Sequence, residues 1–86
     1  MKNILNLIEK INRDFENTGE EINFGKIMDI VDKHTGVIDY SIYATEEDTE
    51  LDIEFDTRNL LITQNKEYVD KLNYNILYWK EKQWII

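Results

Sequence analysis

Between Ile38 and Asp56 the chain alternates apolar and polar residues with a period of two. No other feature limits the fold as strongly. Ile38, Tyr40, Ile42 and Ala44 alternate with Asp39, Ser41, Tyr43 and Thr45. After a polar turn, Leu51, Ile53 and Phe55 alternate with Glu50, Asp52, Glu54 and Asp56. Successive side chains of a strand point to opposite faces, so the pattern predicts an antiparallel hairpin with one buried and one solvated face.

Upstream the period is helical. Ile4, Leu7, Ile8, Ile11 and Phe15 recur at spacings of three and four, with Asn3 the expected N-cap and Asn17-Thr18-Gly19 the expected stop. Glu20 to Phe24 reads either as a brief strand or as the approach to a second helix. That helix is expected from Phe24 or Gly25 to His34, with Ile27, Ile30 and Val31 as its stripe, Met28 on the flank and Asp29 and Asp32 outside. Lys33 and His34 suit its negative C-terminal end, and Thr35-Gly36 is expected to end it.

Beyond the hairpin, Asp56-Thr57-Arg58-Asn59 reads as a turn and Leu60 to Thr63 as a third strand. From residue 65 two readings compete. Val69, Leu72, Ile76 and Trp79 fit a helical stripe. Alternatively, Asn75 to Trp79 and Gln83 to Ile86 flank a Lys80-Glu81-Lys82 turn as a hairpin. Asn73 and Asn75 disfavour a long helix, so the expectation is a short helix or loop over 65–72 and a terminal hairpin over 74–86. The predicted class is α+β: two N-terminal helices packed on an antiparallel sheet of four to five strands, in one domain over 1–86.

Composition narrows the chemistry. Eighty-six residues suffice for one compact core, since a chain of this size buries only about 60% of its unfolded surface. Without cysteine there is no disulfide, thiolate zinc site or cysteine nucleophile. His34 is the sole histidine and reads as a helix C-terminal residue, not a ligand or base. The apolar runs are too short for a membrane span or signal segment, so the chain is expected in the cytoplasm. No catalytic residue, metal or cofactor is expected. Eighteen acidic against ten basic residues leave a net charge of -8, which argues against direct nucleic-acid binding and toward a basic protein surface.

Seven of the eighteen acids fall in residues 46–56, so the charge is concentrated. Glu50, Asp52, Glu54 and Asp56 would sit about 6.6 Å apart on one strand face. Such a row serves either as an aggregation-resistant outer face or as a line of charge that occupies a basic nucleic-acid groove. Nothing places two acids in an apolar pocket for acid–base catalysis, and Glu46 to Glu50 lack the glycine of a calcium loop. The stripe of Ile27, Ile30 and Val31 and the face of Leu51, Ile53 and Phe55 are most simply core. Were the helix to stand off the sheet, they would line an apolar cleft for a partner's side chain.

This order of parts resembles the small acidic uracil-DNA glycosylase inhibitors of phages and mobile elements. Glu20-Glu21-Ile22 stands where that family carries Glu-Ser-Ile between its helices, and Lys26 where one member has a glutamate. Ile27, Asp29, Ile30 and Val31 repeat the family's pattern of spaced aliphatics with a carboxylate. An acidic turn then joins two alternating strands, and Ile76 to Ile86 looks like its closing hairpin. The resemblance implies a non-enzymatic inhibitor that imitates DNA in the enzyme's binding groove, as a monomer forming a 1:1 complex. Glu20 or Glu21 would take a phosphate-like position, Asp29 would add a charged contact, and Glu46, Glu47, Asp48, Glu50 and Asp52 would extend the acidic surface. The cleft, lined by Ile27, Ile30, Val31, Ile42, Leu51 and Ile53, would enclose the apolar residue that the enzyme inserts during base flipping. The alternatives are another mobile-element inhibitor such as an anti-CRISPR protein, an immunity protein against a basic nuclease, or a regulatory domain with a solvated acidic face.

Overall fold

The computed structural model describes residues 1–15 and 21–78. Helix α1 spans Lys2–Phe15 and α2 spans Phe24–Lys33; strands β1 (Asp39–Ala44), β2 (Asp48–Glu54), β3 (Arg58–Asn65) and β4 (Asn73–Tyr78) follow. The strands form one antiparallel meander in the order β1-β2-β3-β4. The α+β arrangement read from the sequence is the observed one. The expected stop of α1 and the return strand of the terminal hairpin lie outside the described residues.

Each helix forms because its apolar residues make a stripe. Ile4, Leu7 and Ile11 of α1 and Ile27 and Val31 of α2 are fully buried in one cluster with Leu51, Ile53, Leu60 and Ile62 of the sheet. The cross-strand rows Tyr40–Ile53–Leu60–Ile76 and Ile42–Leu51–Ile62–Tyr74 follow from the register and make up the sheet face toward the helices. Side-chain hydrogen bonds orient the helices on it. The Tyr74 hydroxyl donates to Asn12 Oδ1 of α1 (2.7 Å), and the Tyr40 hydroxyl to Asp32 Oδ1 of α2 (3.1 Å). His34 Nε2–H donates to the Asn3 carbonyl (2.8 Å), joining the end of α2 to the start of α1.

The helix ends differ from expectation at one cap. Leu5 N–H already donates to the Met1 carbonyl (3.0 Å), so α1 begins at Lys2 and Asn3 lies inside its first turn. Asn3 instead packs on Gly36, where an added Cβ would come within 2.5 Å of Asn3 Nδ2 and where φ is +90°. Glycine is therefore needed there on two counts. At α2, Asn23 Oδ1 accepts from Gly25 N–H (2.7 Å), a regular N-cap.

Both short hairpin turns are tighter than the sequence suggests. Phe55 N–H donates to the Arg58 carbonyl (2.8 Å), so Asp56-Thr57 alone make the turn and β3 starts at Arg58. Residues 66–72 contain turns and no helix. Tyr68 N–H bonds Asn65 O (3.1 Å) and Lys71 N–H bonds Tyr68 O (3.3 Å), both i to i+3. Asn65 Oδ1 takes the Glu67 N–H (2.8 Å), an Asx turn that competes with helix. Buried Gln64 fixes the same region by donating to the carbonyls of Ile22 (3.1 Å) and Val69 (2.6 Å), while Ile22 N–H donates to Val69 O (2.9 Å). Among the described residues no helix is long and apolar enough to cross a membrane.

Gln64→Met keeps the side-chain volume and removes both donors. Urea denaturation is expected to show a loss of about 1–3 kcal/mol, the cost of leaving a buried carbonyl unsatisfied.

Candidate partner-binding surface

The period-two pattern of β2 sorts its residues sharply. Leu51 and Ile53 are fully buried, whereas Asp48, Glu50, Asp52 and Glu54 lie on the opposite face and are half-buried. Asp56 has left the row for the turn after β2. Because β2 is an inner strand, both neighbours contribute to this face. Across from Glu54 stand Asp39 and Asn59; across from Asp52, Ser41 and Leu61; across from Glu50, Tyr43 and Thr63; and across from Asp48, Asn65. No basic side chain occupies these positions. Asn59 Nδ2 donates to Asp52 Oδ1 (2.7 Å) and Asn65 Nδ2 to Asp48 Oδ1 (3.4 Å). These amides give the carboxylates geometry without neutralising them.

Other predicted acids divide among three places. Glu46 and Glu47 are exposed at the tip of the β1–β2 turn. Thr45 shapes that turn: its Oγ1 accepts from Asp48 N–H (2.9 Å), and its N–H donates to the Asp48 carbonyl (2.8 Å). Lys66 clasps it through its ammonium on the Thr45 carbonyl and its N–H on the Glu47 carbonyl (2.8 Å). The Ile22–Val69 bond brings exposed Glu21 to the same end of the sheet. Residues from three segments thus meet at one acidic end. Asp29 is exposed on α2, in the helix layer, away from the β2 row. Glu20 lies outside the described residues.

The apolar set behaves as core in this conformation. Ile27, Val31, Leu51 and Ile53 have no accessible surface; Ile30 is half-buried and Ile42 is exposed. Helix α2 meets the sheet directly, without a gap between these four residues. On the carboxylate face the recess lined by Asp39, Ser41, Asp52, Glu54 and Asn59 holds only about 50 Å³. That is far below the room a small-molecule substrate requires. Among the described residues, no three His, Asp or Glu side chains converge as a metal site.

Asp39, which pairs with Glu54 on this surface, is absent from the partner-contact residues inferred from the sequence. The alternation puts each on the outer face, but their pairing depends on a turn length that the pattern alone does not specify. The donors Asn59 and Asn65 carry no sequence signal beyond strand parity. No family model, curated protein or solved structure matches the chain.

Tyr40 lies where α2 meets β1. Its phenol is held above the ordinary value of 10.0, first by its hydrogen bond to Asp32, then by desolvation and the charges of Asp32, Asp29 and Asp39. The folded value exceeds the unfolded one, so the bond's contribution is complete below about pH 10 and is lost as pH rises through the folded value. The stability gap between the wild type and Tyr40→Phe should therefore be constant below about pH 10 and narrow above it, as read by denaturation at a series of pH values. The row itself costs stability. Neutralising it by Glu50→Gln, Asp52→Asn and Glu54→Gln together should raise stability by about 0.5–1 kcal/mol at low salt. That gain should shrink at high salt, where screening already relieves the repulsion.

Proposed function

We propose that this chain is a protein inhibitor that takes DNA's place on a basic nucleic-acid enzyme, with uracil-DNA glycosylase as the first target to test. The observation that carries the reading is the row Asp48, Glu50, Asp52 and Glu54 on an inner strand, with no basic residue across from it on either neighbour. An inner strand held by two ladders is rigid, so the carboxylates keep a regular spacing of about 6.6 Å along it. A groove built to hold phosphates would meet this row with arginine and lysine.

Charge governs the encounter. A net charge of -8 opposite a basic groove steers association and makes it salt-dependent. The acidic end with Glu21, Glu46 and Glu47 extends the charged surface beyond the row. By the resemblance, Glu20-Glu21-Ile22 corresponds to the inhibitor family's tripeptide, and Ile22 N–H donates to the Val69 carbonyl (2.9 Å). An apolar anchor from the enzyme would first meet Ile30 and Ile42. Reaching Ile27, Val31, Leu51 and Ile53 requires α2 to lift from the sheet. In this reading the protein acts in the cytoplasm without catalysis or cofactor, as a monomer that forms a 1:1 complex.

Purified protein is expected to block uracil excision from DNA at near-stoichiometric ratios. The Glu50→Gln/Asp52→Asn/Glu54→Gln variant should associate about tenfold more slowly at low salt. Undiminished glycosylase activity at a large molar excess would remove this enzyme as the target. Inhibition unaffected by the triple variant would remove the row as the contact.

A further inference from the structure

We propose that β1 is a docking edge, taking up an extended segment of a partner protein with alternating apolar and basic residues as a fifth strand. The inference goes beyond the DNA-mimic reading and does not depend on the enzyme that the carboxylate row meets.

Among the described residues, strand β1 pairs with β2 alone and lies at one edge of the sheet. Thr45 N–H donates to the Asp48 carbonyl across the turn. Hydrogen-bonded and non-bonded pairs alternate along an antiparallel ladder, so Tyr43 and Ser41 point their backbone groups at β2. Tyr40, Ile42 and Ala44 point theirs to the open side. The Tyr40 N–H agrees with this: it donates to its neighbour's Asp39 Oδ1 (2.9 Å), as a group outside the ladder does. The N–H and carbonyl of Ile42 and the N–H of Ala44 therefore face outward along the edge.

The side chains around that edge are apolar and accessible. Ile42 is 44% exposed on the helix side and Tyr43 55% exposed on the other, with Ile38 59% exposed just before the strand. Edge strands are usually blunted by lysine or proline; β1, Asp-Tyr-Ser-Ile-Tyr-Ala, carries neither. The charge pattern selects the occupant. An added strand would set alternate residues beside Tyr40 and Ile42, where apolar side chains fit. The intervening residues would lie beside Asp39 and Tyr43, where lysine or arginine would reach Glu50, Asp52 and Glu54 one strand further in. A second copy of this chain is the wrong occupant, because it would bring another -8 and another Asp39 to the same edge.

The test uses a short fluorescein-labelled peptide of alternating valine and lysine, with an alternating valine–glutamate peptide and a lysine homopeptide as controls. Fluorescence anisotropy should show binding of the first in clear preference to both controls. Amide exchange at Ile42 and Ala44 of the wild-type protein should slow when it binds. Ile42→Pro removes an N–H that faces away from β2, a place where an edge strand tolerates proline, and should weaken binding about tenfold. Unchanged exchange at Ile42 and Ala44, equal binding of the lysine homopeptide, or self-association through β1 would overturn the proposal. The exchange readout decides even if the proline variant fails to fold. None of these readouts involves a glycosylase, so failure here leaves the DNA-mimic reading standing, and the reverse also holds.

Discussion

Strand β2 must satisfy an apolar layer on one face and water on the other. Leu51 and Ile53 are sealed against α1 and α2, while Asp48, Glu50, Asp52 and Glu54 occupy the reverse. A slip of one residue would turn the carboxylates onto Ile4, Leu7, Ile11 and Ile27 and the isoleucine and leucine into solvent. An unpaired carboxylate in such a core costs several kcal/mol. Register is therefore tightly specified, and the tight turns at Glu46-Glu47 and Asp56-Thr57 hold β1 and β3 to it.

The chain's modest length follows through to its surface. Two helices and a four-stranded meander use up the described residues, and both helices share one cluster on one face of the sheet. An antiparallel sheet tolerates such one-sided cover. The price is mutual repulsion among the outer carboxylates, partly eased by amide donors from Asn59 and Asn65. The period-two alternation of β2 sets them in line on an inner strand, with no lysine or arginine opposite on β1 or β3. The same arrangement is what an electrostatic partner surface needs, so the energetic cost and the proposed role share one origin.

Much of this architecture is visible in the sequence because it is written in periodicity. The change from three-and-four spacing to alternation locates α2 and β1, and the parity of Glu50, Asp52 and Glu54 predicts their common face. What escapes periodicity is settled by single polar atoms. Asn3 looks like a cap but lies inside α1, its carbonyl taken by His34 and its side chain against Gly36. The stretch after Asn65 looks compatible with a short helix, yet the Asn65 side chain and the buried Gln64 amide fold it into turns. Apolar pattern names Ile27, Val31, Leu51 and Ile53 as neighbours but does not say whether a gap separates helix from sheet. Close packing closes it. The pairing of Asp39 with Glu54 required the turn length, a tertiary fact.

The central claim is that the carboxylate face and DNA compete for the same surface. It is tested most directly by competition binding on a uracil-DNA glycosylase, with fluorescent DNA bound first and this protein titrated in. The account predicts full displacement with mutually exclusive binding. A ternary complex of enzyme, DNA and protein, or DNA that stays bound at saturating protein, would contradict it.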